Sequence, residues 1–352
     1  MASDDPELID IRADERLELA RLEPYLRERL PGAEGPLEVA QFGGGHANLT
    51  YLIRFGAREF VLRRPPLGPV AATSHDMSRE HRVLSVLHRG YALAPESYHL
   101  CTDHGVIGAD FLVMERRHGF VIREDLPERF QGDAALGVRI GETIVDCIAA
   151  LHAVDRDAVG LGDFGRPEGF VARQIGGWTR RWYAAKDAEN ADMDRLAAWL
   201  ADRIPETRVV TLVHNDYKLD NVLVAHDDPA RAVAVLDWDM CTSGDPLVDL
   251  GYLLNFWVEP GDDPDWRVAA AMPTWREGFP TRAQAIERYA TATGFDVADA
   301  HWYHVFGVFK LAVILQQIYI RWLRGQTRDE RFAALGKRVA ALIAKGNALA
   351  DA

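Results

Sequence analysis

A chain of 352 residues, 48% of them hydrophobic, suits a globular protein of about two domains or lobes. Its formal net charge of −13 speaks against nucleic acid as a partner, because displacing phosphate counterions needs a basic stripe. Three cysteines, Cys101, Cys147 and Cys241, are far apart with no CxxC spacing, which argues against a disulfide framework or a zinc site and for reduced thiols in the cytoplasm.

Met1 to Glu7 is acidic and lacks the apolar core of a secretory signal. Asp14 to Leu30 sets Leu17, Leu19, Leu22, Leu26 and Leu30 among charges and predicts an amphipathic helix. Leu37 to Phe42 and Leu49 to Phe55 predict strands, joined by Gly43-Gly44-Gly45-His46-Ala47-Asn48. Strand, glycine turn, strand is a form that lets backbone N–H groups approach phosphates, and it is equally the form of an ordinary hairpin. A third strand, Glu59 to Arg63, ends at Pro65-Pro66. Asp76 to Leu87 predicts a helix carrying Glu80, and Phe111 to Met114 a further strand. The charged run Glu115 to Gly119 then reads as a linker between lobes.

Downstream the pattern is mostly helical. Asp133 to Ala153 carries Leu136, Ile140, Ile144, Ile148 and Leu151 at helical spacing, with Asp133 as N-cap. Further helices are predicted at Phe170 to Ala184, Met193 to Ile204, Pro246 to Phe256, Arg282 to Thr293, His301 to Arg324 and Asp329 to Lys345, the last stopped by Gly346-Asn347. Val305 to Leu315 is the longest apolar stretch; broken by Lys310, it is too short to span a bilayer, so no membrane partner is expected. The architecture predicted is α+β, with a small β-rich first lobe over 1–117 and a larger helical second lobe over 118–352.

Within the second lobe lies a polar octet, His214 to Asn221, flanked by the apolar runs Val209 to Val213 and Val222 to Val224. A third run, Val233 to Leu236, ends in Asp237-Trp238-Asp239. Short β-branched runs separated by Asp-Asp-Pro predict strands and a hairpin, with Asp216, Asn221 and Asp237 at strand ends. One carboxylate, an amide five residues later and a second carboxylate suit phosphoryl transfer: the first orients a hydroxyl, the others hold Mg²⁺ on a nucleotide. A surface hairpin with polar turns is the plainer alternative.

The order of glycine-rich turn, basic third-strand residue, helix glutamate, HxDxxxxN and strand-terminal aspartate resembles the protein-kinase-like fold. The wording "LVHNDYKLDNVLV" and "VLDWDMCTSGDPLVDLGYLL" resembles the aminoglycoside phosphotransferase family. "FVLRRPPLGPV", "HDMSREHRVL" and "KLAVILQQIYIRWLRGQT" are similar to its branch related to kinase domains fused to acyl-CoA dehydrogenases. The resemblance implies a bilobal small-molecule kinase using ATP and Mg²⁺. It makes Asp216 the catalytic base, Asn221 and Asp237 the metal ligands, and Gly43, Gly44, Gly45, His46 and Asn48 the phosphate-covering loop. Met114 and Glu115 fall where the linker meets adenine, and Asp249 where a buried acid braces the catalytic loop. Where the family usually has lysine, this chain has Arg63, able to bridge phosphate and Glu80, or its neighbour Arg64. The acceptor implied is a small-molecule hydroxyl, with a hydroxyacyl-CoA as the candidate; an aminoglycoside or amino-alcohol kinase and a non-catalytic nucleotide-binding module are the alternatives. Arg173, Arg180, Arg181, Lys310, Arg321 and Arg324 are the cations available to the phosphates of a CoA carrier.

Overall fold

The structure, a computed structural model, describes residues 8–43, 48–67, 76–262, 266, 272–327 and 330–352. The chain divides into two compact units, one of Met1–His118 with Val159–Leu161 and Ala234–Cys241, the other of Gly119–Ala158, Gly162–Val233 and Thr242–Ala352.

The first unit is built on a six-stranded sheet. Its strands are β1 (Leu8–Ile9), β2 (Leu37–Phe42), β3 (Leu49–Phe55), β4 (Arg58–Arg64), β5 (Ser97–Cys101) and β6 (Phe111–Glu115), in the order β1-β2-β3-β4-β6-β5. Antiparallel register sets Thr50 opposite Arg63 and Arg63 opposite Leu112, so the third-strand arginine sits mid-sheet. Tyr51, Ile53, Phe55, Leu62, Phe111 and Val113 bury one face against Leu22 and Leu26 of helix Leu19–Arg27. That helix is shorter than Asp14 to Leu30; Leu17 and Leu30 are still buried, as non-helical flanks. Helix Met77–Leu87 starts on Asp76, whose carboxylate accepts the N–H of Arg79 at 3.0 Å, and buries Glu80 with Val83, Leu84 and Leu87. Strand β5 carries no clear alternation and is held by pairing with β6.

The second unit is helical. Helix Ala134–His152 is capped by Asp133, which accepts from the N–H of Leu136 at 3.0 Å. Phe170–Ala185, Ala191–Asp202, Leu247–Phe256, Arg282–Thr293, Ala300–Leu323 and Leu335–Ala350 follow. Phe120–Val121 pairs with Val222–Val224, and the N–H of Ala225 meets the carbonyl of Arg231 at 2.9 Å, closing the expected hairpin. Gly346 and Asn347 do not end the last helix. It runs on to Ala350, and Gly346 instead faces Leu196, where a Cβ would lie 2.6 Å from Cδ2.

Helix Leu247–Phe256 is buried along its whole length and crosses helix Ala300–Leu323 at a glycine pair. A Cβ on Gly251 would lie 2.2 Å from the Tyr303 carbonyl, and one on Gly307 would lie 2.6 Å from the Gly251 carbonyl. The apolar stretch Val305 to Leu315 therefore belongs to a 24-residue helix long and apolar enough to cross a bilayer, but 72% of its apolar window is buried inside the protein. Its side chains are spent on core packing.

Candidate active site

In the second unit, strand Thr211–Val213 pairs with Thr242–Gly244 and delivers the chain into the polar octet. Asn215 there takes a left-handed φ of 65°, one of two non-glycine residues with positive φ among those described; the other is Asp237, at 68°. Such backbone is sparsely populated and persists where its surroundings over-determine it. Here the restraint is Asp249, with no exposed surface, whose two oxygens accept the N–H groups of His214 and Asn215 at 2.6 Å each. Burial works against this carboxylate, but hydrogen bonds from His152 and the backbone hold it below the usual carboxylate range. His152 lies 3.2 Å from Asp249 through Nε2 and 2.6 Å from the Tyr289 hydroxyl through Nδ1. His214 is fully buried under the loop, its Nδ1 accepting from the N–H of Asp216 at 3.3 Å.

A 3-10 turn, Leu219–Asn221, folds Asn221 back onto Asp216. The Asn221 amide nitrogen donates to the Asp216 carbonyl at 2.8 Å and to its Oδ2 at 3.1 Å. The five-residue spacing is therefore a side-chain lock. Lys218 Nζ lies 3.4 Å from Asp216 Oδ2 and 3.6 Å from Asp220 Oδ1. Tyr252 is buried close to Asp216; burial and the charge of that carboxylate push its hydroxyl well above its ordinary value.

The first unit holds the other residues. Arg63 is 7% exposed, so it is no solvated strand end. Its Nη1 donates to Glu80 Oε1 at 2.9 Å, its Nη2 pairs with Asp237 Oδ1, and Asp239 Oδ2 stands 4.0 Å away. Burial pushes Glu80 up while Arg63 draws it back. Arg64 points elsewhere, donating to the Ile107 carbonyl at 3.1 Å. Arg63, then, is the residue that meets Glu80. Asn48 reaches Asp239 Oδ2 at 3.4 Å, and Arg79 donates to the Cys241 carbonyl at 3.1 and 2.8 Å, tying helix Met77–Leu87 to the strand-end segment. Trp238, 1% exposed, anchors that segment by packing edge-on to Tyr91.

Gly44, Gly45 and His46 lie outside the described residues. Gly43 packs under β1, where a Cβ would lie 3.0 Å from Ile9 Cγ2. Met114 is in the β6 ladder, and the N–H of Glu115 already donates to the Glu96 carbonyl at 2.8 Å. That N–H is spent inside the sheet. Among the described residues no three His, Cys, Asp or Glu side chains form a metal-binding group. The predicted ligands, an amide and a carboxylate, do fit Mg²⁺, which takes one or two protein oxygens beside phosphate and water. With the Asn221 amide nitrogen donating to Asp216, its other amide atom is the oxygen such an ion takes.

Four residues of this network carry no expectation from sequence: Asp239, Tyr252, His152 and, as a loop contact, Lys310. Lys310 is not available to a CoA phosphate, for it is fully buried and bonded to Asn215. Arg173 is likewise tethered, to the carbonyls of Arg166 and Glu168. Trp178, Trp182, Trp266, Trp302 and Tyr303 are buried as packing residues, whereas Tyr183 is exposed. The three cysteines are buried, and none forms a disulfide among the described residues.

A sheet unit carrying a buried strand-to-helix Arg–Glu pair, and a helical unit carrying an Asp locked to an Asn five residues on, define a protein-kinase-like α+β fold. Residues 38–299 match the phosphotransferase enzyme family (APH), and the chain belongs to that family. That family is one of phosphotransferase enzymes. The chain is 32% identical over 318 residues to mouse acyl-CoA dehydrogenase family member 10, covering 90% of this chain and 30% of that protein. The chain thus spans under a third of that relative's length. A crystal structure from Ralstonia eutropha JMP134, provisionally assigned to the aminoglycoside phosphotransferases, superposes with a TM-score of 0.82 at 32% identity over 96% of this chain and 99% of that one. A thermostable mutant of aminoglycoside phosphotransferase APH(4)-Ia, in complex with AMP-PNP and hygromycin B, shares the fold with a TM-score of 0.57 at 20% identity, over 92% and 98% of the two chains.

Proposed function

We propose that this chain transfers the γ-phosphoryl group of ATP, with Mg²⁺, to a hydroxyl of a small molecule. Asp216 orients the acceptor hydroxyl and takes its proton as the oxygen bonds to the γ-phosphorus; the bond to the β-phosphate oxygen breaks and ADP leaves. Asn221 and Asp237 hold the Mg²⁺, which when bound neutralises phosphate charge. Arg63 exchanges its contact with Asp237 for the nucleotide's phosphates while keeping Glu80, and Gly43 to Asn48 cover those phosphates. Adenine meets the chain near Met114 and Glu115, through a group other than the Glu115 N–H. In this division, residues 1–117 carry the nucleotide-binding loop and 118–352 the catalytic and metal-binding loops. The observation that carries the proposal is the Asn221 lock on Asp216, at 2.8 and 3.1 Å, on a loop held by buried Asp249. Catalysis of this kind is mostly positioning and electrostatics.

For the acceptor, a hydroxyacyl thioester is favoured. The support is likeness to a protein named as an acyl-CoA dehydrogenase family member, together with the cations Arg123, Arg181 and Lys218 whose charges act on Asp220 and Lys310. An anionic acceptor meets those cations favourably and a polycation does not. The rival is an aminoglycoside or amino-alcohol kinase, favoured by the −13 balance and by the hygromycin B bound to a fold relative. Intact Asp216, Asn221 and Asp237 weigh against a non-catalytic module. Buried reduced thiols support a cytoplasmic setting. The test is kcat/KM, by ADP release, for 4-hydroxyacyl-CoAs against kanamycin-type aminoglycosides at low and moderate salt. Turnover of aminoglycosides alone overturns the thioester proposal.

A further inference from the structure

Lys310 is a charged side chain with no exposed surface in the middle of an apolar helix. Burying an ammonium is costly, and an apolar side chain of similar volume fills such a place as well or better. Its partners explain its presence. The Gly251–Gly307 crossing lets helix Ala300–Leu323 press close to helix Leu247–Phe256, and Lys310 follows Gly307 by one turn. Its Nζ lies 4.3 Å from the centroid of the Tyr252 ring and 5.6 Å from that of Trp178. It donates to the backbone carbonyl of Asn215 and, at 3.0 Å, to its Oδ1.

Asn215 is thereby held at three polar atoms: its N–H on Asp249, its carbonyl and Oδ1 on Lys310. The carbonyl belongs to the peptide that leads into Asp216, and the orientation of that peptide plane sets where the Asp216 side chain points. A left-handed asparagine has no intrinsic reason to hold one orientation, so the clamp supplies it. Tyr252 joins the two, its ring against the ammonium and its hydroxyl within reach of the Asp216 charge. Burial draws Lys310 down to about 8, while the charges of Asp216 and Asp249 pull it back.

We infer that Lys310 is a positioning residue for phosphoryl transfer: it clamps the Asn215 carbonyl and amide oxygens and so aims the Asp216 carboxylate at the acceptor hydroxyl. This role rests on Asp216 being the base. The experiment compares wild type, Lys310→Met, Asn215→Gly, the double variant and Asp216→Asn, by ADP release from MgATP with a 4-hydroxyacyl-CoA and with water as acceptor. Unfolding midpoints are followed in parallel. Lys310→Met, which leaves the Asn215 carbonyl and Oδ1 without this donor, is expected to fold with a lowered midpoint, leave the KM for ATP within about twofold, and lower kcat by about ten- to a hundredfold, the scale of a misplaced catalytic group. Asn215→Gly, which tolerates the positive φ but loses Oδ1, should lower kcat by about two- to tenfold, the worth of one hydrogen bond. The double variant should be no worse than Lys310→Met, since both act through one clamp. A wild-type kcat in Lys310→Met, or fully additive losses, overturns the inference. If Lys310→Met does not fold, an unchanged kcat in Asn215→Gly overturns it. Asp216→Asn as active as wild type sinks the phosphotransfer proposal itself, whereas an inactive Asp216→Asn beside a fully active Lys310→Met overturns only the role of Lys310.

Discussion

Arg63→Ala should do two separable things. Glu80 has no exposed surface, and the guanidinium 2.9 Å from its Oε1 is the cation that compensates it. Removing one partner of a buried pair costs about 3–5 kcal/mol, on the order of a 10 °C drop in unfolding midpoint. Asp237 adds little to that loss, because its side chain is 30% exposed and water can replace the contact. Arg64→Ala removes only a bond to the Ile107 carbonyl and should cost about 1 kcal/mol. Arg63→Met combined with Glu80→Leu removes the stranded charge and should recover most of the stability. It should not recover nucleotide affinity, because a charge-assisted phosphate contact contributes about 1.5–3 kcal/mol, or about ten- to a hundredfold in the KM for ATP. The assays are thermal unfolding and initial-rate ADP release. Equal effects of Arg63→Ala and Arg64→Ala, or an apolar pair with wild-type KM, would refute the reasoning.

Asp216→Asn should bind Mg-ATP normally by calorimetry yet lose about 10²–10⁴ in turnover, the usual contribution of a general base. Asp237→Asn should instead weaken Mg-nucleotide binding itself, since a negative metal ligand is gone; unaltered binding in the same titration would count against that role. Asp249→Asn places an NH₂ group against one of two buried N–H donors and should cost about 2–5 kcal/mol, with faster hydrogen exchange at His214 and Asn215. Asp249 is held below the usual carboxylate range, so its ionised form contributes stability at every pH above that range and loses it as pH falls through the depressed value. Acid unfolding of the wild type should therefore contain a component that Asp249→Asn lacks.

The short-range features were legible in the sequence. Short apolar-rich runs mark β2, β3 and the Val222–Val224 strand, and Asp76 and Asp133 announce their helices by capping them. The polar octet stands out because its lock is local, Asp216 to Asn221. What escaped depends on residues far apart in the chain. Strand β5 exists through its pairing with β6, not through its own pattern. Asp239 sits two residues from a motif, but its partner Asn48 is 191 residues away. Lys310 is visible as a charge interrupting an apolar run, and its meaning comes from Asn215, 95 residues earlier. Gly346 looks like a helix stop because a glycine that ends a helix and one that lets another helix approach are identical in sequence.

The central claim, ATP-dependent phosphorylation of a small-molecule hydroxyl with Asp216 as the base, is tested most directly by following labelled γ-phosphate. Wild type and Asp216→Asn are incubated with [γ-³²P]ATP, Mg²⁺ and a 4-hydroxyacyl-CoA, kanamycin or an amino alcohol, and label in the acceptor is counted after separation. Label transferred by wild type and lost in Asp216→Asn, with Mg-ATP binding retained, is the predicted result. Binding of Mg-ATP with no label in any acceptor, or equal labelling by the two proteins, would contradict it.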